Sequence, residues 1–292
     1  MSNNIKDFIK LVLDRRPKIN LQANISILAS SILLEKRSAI ITGGTSGIGL
    51  AIAESFINAG ASVIITGRSK EKLEIACTKI KSKSNSAQIF PFVMDNTAVS
   101  SFESIFNRMK LLAKEKGMPP IEILVNNAGI NCQGMPNAVE NEYDAVMNTN
   151  LKGTFFLSQL FGKYLIENNI KGNILNIASA SSLRPADSAY TLSKWGIRGL
   201  TLGLAKSLTQ YGITVNGIAP GPTATPMMHK GSTSNIYLNR IPLGRFIMPE
   251  EIANMAVFLT SNLGKSIVGD IIYMTGGAGN LTYDDVQYSF NK

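Results

Sequence analysis

From Ser38 to Gly279 the chain alternates short apolar runs with stretches of helical period, and few folds accommodate that pattern. The runs predict strands at Ala39–Ile41, Ser62–Thr66, Ile89–Met94, Ile121–Val125, Asn173–Ile177, Thr214–Ile218 and Ile271–Met274. Between them the spacing predicts helices from a glycine-rich turn to about Asn58, over Lys70–Lys81, over Val99–Lys116 and from Pro249 onward. Ile48, Ile52 and Phe56 mark the inner face of the first helix, and Gly60 stops it. Ile252, Met255, Ala256 and Leu259 mark the inner face of the last, which Pro249 opens. Strand and helix in alternation give a parallel sheet covered by helices on both faces. The expected class is therefore α/β, a doubly wound parallel sheet of about seven strands. No repeat or internal boundary divides 38–279, which is read as one catalytic domain, with an extension over 1–37 and a tail over 280–292.

Outside that region the reading is plainer. Ile5, Phe8, Ile9, Val12 and Leu13 share one face of an N-terminal helical segment that Pro17 ends. The apolar stretch Ile25–Leu34 is half the ~20 residues a membrane span needs, and no signal-peptide pattern follows the start. The net charge of +9 is spread over the chain without a block of five like charges, which marks a solvated surface and not a nucleic-acid partner. Cys77 and Cys132 lie far apart and His229 is the single histidine, so no metal set is expected. Free thiols fit a reducing, cytoplasmic location.

Three stretches carry chemistry. The first is Gly43-x-x-x-Gly47-x-Gly49, with Thr45, Ser46 and Ile48 between the glycines. Glycines at a strand-to-helix turn let the backbone approach a pyrophosphate at the positive end of the helix. The spacing departs from the standard G-x-G-x-x-G fingerprint. The second is Thr66-Gly67-Arg68 at the end of the second strand. No carboxylate stands there before Glu71, and Arg68 suits a 2′-phosphate, so NADP(H) is preferred and NAD(H) is the alternative. The third is Tyr190-x-x-x-Lys194, one helical turn apart on one face. An ammonium beside a phenol is expected to lower its pKa from ~10 and make it a proton-transfer group.

With Asn126-Asn127-Ala128-Gly129 after the fourth strand, these stretches resemble a short-chain dehydrogenase/reductase, a single-domain enzyme of Rossmann type. The match extends through Asn148–Gly153, Asn176–Ser179 and Pro220–Thr225, and so covers roughly Ser38 to Gly279. The resemblance implies that Tyr190 exchanges a proton with a carbonyl or alcohol. It implies that Lys194 lowers the phenol's pKa and holds the nicotinamide ribose, and that Ser179 bonds the substrate oxygen. Asn150 would hold a water that supplies protons to Lys194. Asn127, Ala128, Gly129, Pro220, Gly221 and Thr223 would line the cofactor cleft, Asp95 would touch the adenine and Thr225 the nicotinamide carboxamide. A homodimer or homotetramer is implied, with the small-residue stripe Gly196, Gly199 and Gly203 against its mate. Ser179 precedes Tyr190 by eleven residues, about two fewer than in most relatives. Ser181, and less readily Ser182, would take the serine's role if the strand ended later.

The substrate is less legible. A segment from Thr225 to Arg240, with a Gly231-Ser232-Thr233-Ser234 centre, has the character of a lid, and Met227, Met228 and Leu183 are expected to wall the pocket. Cys132 either borders that pocket or is an inert thiol, His229 reads as a surface residue and Trp195 as packing in the core or an interface. Reductases of acyl-carrier thioesters place arginines at the mouth, whereas Ile130-Asn131-Cys132-Gln133 and Tyr211 supply none. The function expected is interconversion of a carbonyl and a secondary alcohol on a free small molecule. The alternatives are an NAD-linked alcohol, polyol or sugar dehydrogenase, an acyl-thioester 3-oxo reductase, or a nucleotide-binding scaffold without turnover.

Overall fold

The computed structural model describes residues 32–84, 86–228, 235–279 and 281. The N-terminal helical face, the centre of the expected lid with His229, and most of the C-terminal tail lie outside those residues. Seven parallel strands form one sheet: β1 (Ser38–Thr42), β2 (Ser62–Gly67), β3 (Ile89–Val93), β4 (Ile121–Asn126), β5 (Asn173–Ile177), β6 (Thr214–Pro220) and β7 (Ile271–Met274). Their order is β3-β2-β1-β4-β5-β6-β7. The chain thus winds outward from β1 in one direction, then returns to start again at β4 on its other side. The register aligns Ile41 of β1 with Val125 of β4, so both strands end at the same level. A crevice opens there because the loops leaving the two strands turn to opposite faces.

Burial explains why these runs are strands. All residues of β1 and of β5 are buried, as is required where helices cover both faces. β3 is one of the two edge strands, and beyond the buried Ile89 its residues alternate between half-buried and exposed; it also carries Pro91, which an edge tolerates. On one face lie α1 (Gly47–Asn58), α2 (Lys70–Lys81) and α7 (Pro249–Thr260). Ile52 and Phe56 of α1 and Ile252 and Ala256 of α7 join one fully buried cluster with Ile41, Ile65 and Val125 of the sheet. On the other face lie α3 (Phe102–Glu115), α5 (Gly153–Glu167) and α6 (Ala189–Leu208), with the short α4 (Glu140–Val146) preceding α5. Phe106, Phe161 and Tyr164 meet there edge to face, the Phe106 and Tyr164 ring centres 5.0 Å apart.

Two local features differ from the sequence reading. The helix expected over 99–116 begins as a 3-10 turn, Val99–Ser101, because the Ser101 hydroxyl turns back to the Ala98 carbonyl at 2.7 Å. Between α4 and α5 the chain makes a π-helical turn over Met147–Lys152, a wide turn that apolar spacing does not announce.

Candidate active site

A cleft of about 840 Å³ lies at the C-terminal ends of β1 and β4. Its floor begins at the turn after β1, where Gly43 and Gly47 take φ of +66° and +54°, a conformation that side chains strain to adopt. A Cβ at Gly43 would come within 3.0 Å of the Ala128 Cα, so the turn and the loop after β4 touch backbone to backbone. Thr42 holds them together. Its hydroxyl accepts from the Asn127 and Ala128 N–H groups at 3.0 Å, while the Asn127 amide donates to the Thr42 and Gly43 carbonyls at 2.9 and 3.0 Å. α1 begins at Gly47, with its first N–H groups at the cleft edge.

Around this turn the cleft is lined by Thr45, Ser46, Ile48, Arg68, Asp95, Asn127, Ala128, Gly129, Pro220, Gly221, Thr223 and Thr225. Gly49 is not among the lining residues. A Cβ there would stand 2.3 Å from the Gly43 carbonyl, so Gly49 lets α1 pack against the turn. Arg68 is exposed at the end of β2, whereas Asp95 folds onto its own loop, accepting from the Thr97 N–H and hydroxyl at 2.9 Å. Beside it stands Asn96, which the sequence reading missed. Asn96 also lines the cleft; its Nδ2 donates to the Thr149 carbonyl at 3.1 Å, and its Oδ1 is buried without a hydrogen-bond partner among the described residues.

At the other end Ser179, Tyr190 and Lys194 meet. Ser179 ends the run after β5 and caps the 3-10 turn Ala180–Leu183, its hydroxyl accepting from the Ser181 N–H at 3.1 Å. Both Ser179 and Tyr190 line this end of the cleft, close enough for the serine to oppose the rise in the phenol's pKa. Ser181 also lines the cleft, and Ser182 is buried with its hydroxyl donating to the Ser179 carbonyl at 2.7 Å. Ser188 caps α6 by accepting from the Thr191 N–H, which sets Tyr190 in the first turn and Lys194 one turn on. Lys194 is buried and donates to the Ile177 carbonyl at 2.8 Å, with its Nζ 5.7 Å from the Tyr190 ring centre.

This electrostatic arrangement corrects the sequence expectation for the phenol. Burial pushes the Tyr190 pKa up, and Ser179 only partly opposes it. The ammonium does not reverse the shift because its proton is directed at Ile177 and burial costs it charge as well. Burial brings Lys194 down from 10.5 to about 8. Tyr190 is thus held as a neutral phenol beside a lysine whose charge changes slightly above neutral pH.

Asn150 is buried in the π-helical turn, next to the cleft-lining Gly129. Its Oδ1 accepts from the Ile130 N–H at 2.9 Å, and its Nδ2 donates to the Ile130 carbonyl at 3.0 Å and to Ser193 Oγ at 3.1 Å. Ser193 in turn donates to the Tyr190 carbonyl at 2.7 Å. The carboxamide therefore ties the loop after β4 to the helical turn that carries the tyrosine.

The mouth holds further corrections. Met227, Met228 and Cys132 line it, but Leu183 does not; the 3-10 turn brings the next residue, Arg184, to the wall instead. Arg240 lines the cleft as well, so arginines are present at the mouth after all, from loops that the stretches near Gly129 and Gly212 do not include. Trp195 is 42% exposed and its indole N–H donates to the Arg184 carbonyl at 2.8 Å, so it braces a loop and is not core. Among the described residues no group of three or more His, Cys, Asp or Glu side chains could hold a metal, and no helix is long and apolar enough to cross a membrane.

The short chain dehydrogenase family model matches residues 37–235. The chain is 35% identical over 249 residues to the 3-oxoacyl-[acyl-carrier-protein] reductase of Thermotoga maritima, covering 84% of this chain and 98% of that one. It is 32% identical over 247 residues to the gluconate 5-dehydrogenase of Gluconobacter oxydans, covering 82% and 93%. Its fold superposes with a TM-score of 0.73 on the crystal structure of a short chain dehydrogenase from Burkholderia cenocepacia in complex with NADP, at 28% identity and over 84% and 98% of the two chains. With the sheet order, the glycine turn and the Ser179–Tyr190–Lys194 cluster in one cleft, these matches mean that the chain belongs to the short-chain dehydrogenases, oxidoreductases that act on CH–OH groups with a nicotinamide cofactor.

Proposed function

We propose that the protein is an NADP(H)-dependent reductase that interconverts a ketone or aldehyde and the corresponding alcohol on a small molecule. The observation that carries this reading is the convergence of Ser179, Tyr190 and Lys194 at one end of a cleft whose other end is the glycine turn and Arg68. The residues fit a dinucleotide. Gly43 and Gly47 bare the backbone where a pyrophosphate would lie, and α1 presents its N–H groups beside it. No carboxylate stands at the end of β2 to favour a ribose 2′-hydroxyl, and Arg68 offers a fork for a 2′-phosphate. A relative whose structure holds NADP supports the same choice.

When bound, the nicotinamide would supply or take the hydride. The chain would do the rest. Ser179 would donate a hydrogen bond to the substrate oxygen and orient it toward Tyr190. Tyr190 would pass its phenolic proton to that oxygen in reduction and take it back in oxidation. Its raised pKa keeps the phenol in the protonated form that donates to a carbonyl. Lys194 would hold the nicotinamide ribose and, with a pKa of about 8, reload the phenol with a proton. Asn150 would act through the scaffold, by fixing Ile130 and the Tyr190 turn. The exposed Phe155, Phe156, Trp195 and Leu202 of α5 and α6, beside the open Gly199 and Gly203, would form the contact of a homodimer or homotetramer.

Replacing Tyr190 with Phe tests the reading. NADPH affinity is expected to stay within about twofold while turnover of any ketone the wild type reduces falls by about 10² or more. Turnover that survives the substitution would rule the relay out.

A further inference from the structure

Arg184 is a cation built into the substrate end of the cleft and left without a counter-ion. Its main chain is held at both sides, the N–H donating to the Ser181 carbonyl at 3.1 Å and the carbonyl accepting from the Trp195 indole at 2.8 Å. Pro185 follows and restricts it to the extended backbone it adopts, φ −104° and ψ 154°. Its Nε is sealed from solvent and has no hydrogen-bond partner, and among the described residues the side chain makes no ion pair, although Asp187 lies three residues on. Arg184 lines the cleft with Ser179, Ser181 and Tyr190, and Arg240 faces the same space. Arg198 adds a further positive charge behind the wall, its guanidinium 5.4 Å from the Trp195 ring centre.

The terminal nitrogens of Arg184 are not sealed in this way and make no ion pair among the described residues, and a guanidinium so placed can take a carboxylate end-on through both of them, in a two-point contact that no neutral group matches. From this we infer that the substrate carries a carboxylate, which Arg184 binds while Ser179 and Tyr190 hold the reacting oxygen. The inference rests on the reductase reading for the identity of the ligand as substrate, but the anion site itself can be tested without turnover. An apolar or neutral substrate would leave the Arg184 charge without a partner in the cleft.

Trp195 is the single tryptophan of the chain and touches Arg184, so its fluorescence reports on the site. The full chain, with and without saturating NADP⁺, is titrated with succinate and with the neutral succinamide. The expected result is a saturable change with succinate alone, retained when NADP⁺ is bound, and weakened at least about tenfold in Arg184→Met and in Arg184→Gln. NADP⁺ binding checks that each variant is folded. No saturable response, an equal response to succinamide, or full affinity in both variants would overturn the inference. So would loss of the response on adding NADP⁺, since the anion would then be reading the cofactor's phosphate site. Failure of NADP⁺ itself to bind would refute the reductase reading while leaving an Arg184-dependent carboxylate site standing.

Discussion

Lys194 carries an electrostatic load in the site, and the load has a sign. Its pKa is about 8 in the folded chain against an ordinary 10.5, because burial penalises the ammonium. Between those values the unfolded chain binds the proton and the folded chain does not, so this residue makes stability rise with pH across that window. Below about pH 8 both states are protonated and the folded state carries the whole penalty. Lys194→Met is therefore expected to flatten the gain in urea-unfolding free energy that the wild type shows between pH 8 and 10. Parallel curves for the two proteins would contradict the burial argument. The residue scale is also where the sequence reading succeeded and failed most clearly. Tyr190 and Lys194 were legible because helical spacing alone puts them on one face. The direction of the phenol's shift was not, because it depends on how deeply the fold buries Tyr190. Arg184, Arg240 and Asn96 were passed over for a related reason. Each sits in a loop whose approach to the cleft is set by partners far away in sequence, such as Trp195 for Arg184 and Thr149 for Asn96.

At the scale of elements, the strands were readable because a sheet covered on both faces leaves uninterrupted apolar runs, as in Ala39–Ile41. The glycine turn was readable because positive φ selects glycine. The π-helical turn over Met147–Lys152 was not, since it reflects tertiary bonds of Asn150 and not a periodicity. The start of α7 shows how strongly a cap can be built. Arg245 meets Glu251 through two parallel bonds of 2.8 and 2.9 Å, and Glu251 also accepts from the Met248 N–H at 2.7 Å. The hydrogen bond from Arg245 is the main reason that the Glu251 carboxyl titrates below its ordinary range. A carboxylate of depressed pKa stabilises above its unfolded value, ~4.3, and loses that effect as pH falls through the folded one. Glu251→Gln should thus cost about 2 kcal/mol at pH 7, or roughly 3 °C in Tm for a chain of this size. The gap between the two proteins should narrow as the solution is acidified below about pH 4. An unchanged Tm at pH 7 would show the pair to be idle.

For the whole molecule, the sheet order decides where chemistry can occur. Winding outward from β1 and again from β4 leaves one crevice, and every stretch singled out for chemistry in the sequence follows a strand that ends there or a helix that faces it. The glycine turn, Arg68, Asp95 and Ser179 come from different strands, yet the parallel arrangement brings them to one edge. The account then stands on the cofactor. Fluorescence titration of the purified chain with NADPH and NADH, repeated on Arg68→Asp, is the direct measurement. The account predicts that NADPH binds at least about tenfold more tightly and that the substitution abolishes the difference. Equal or tighter binding of NADH, an unaltered preference in the variant, or binding of neither dinucleotide would contradict it.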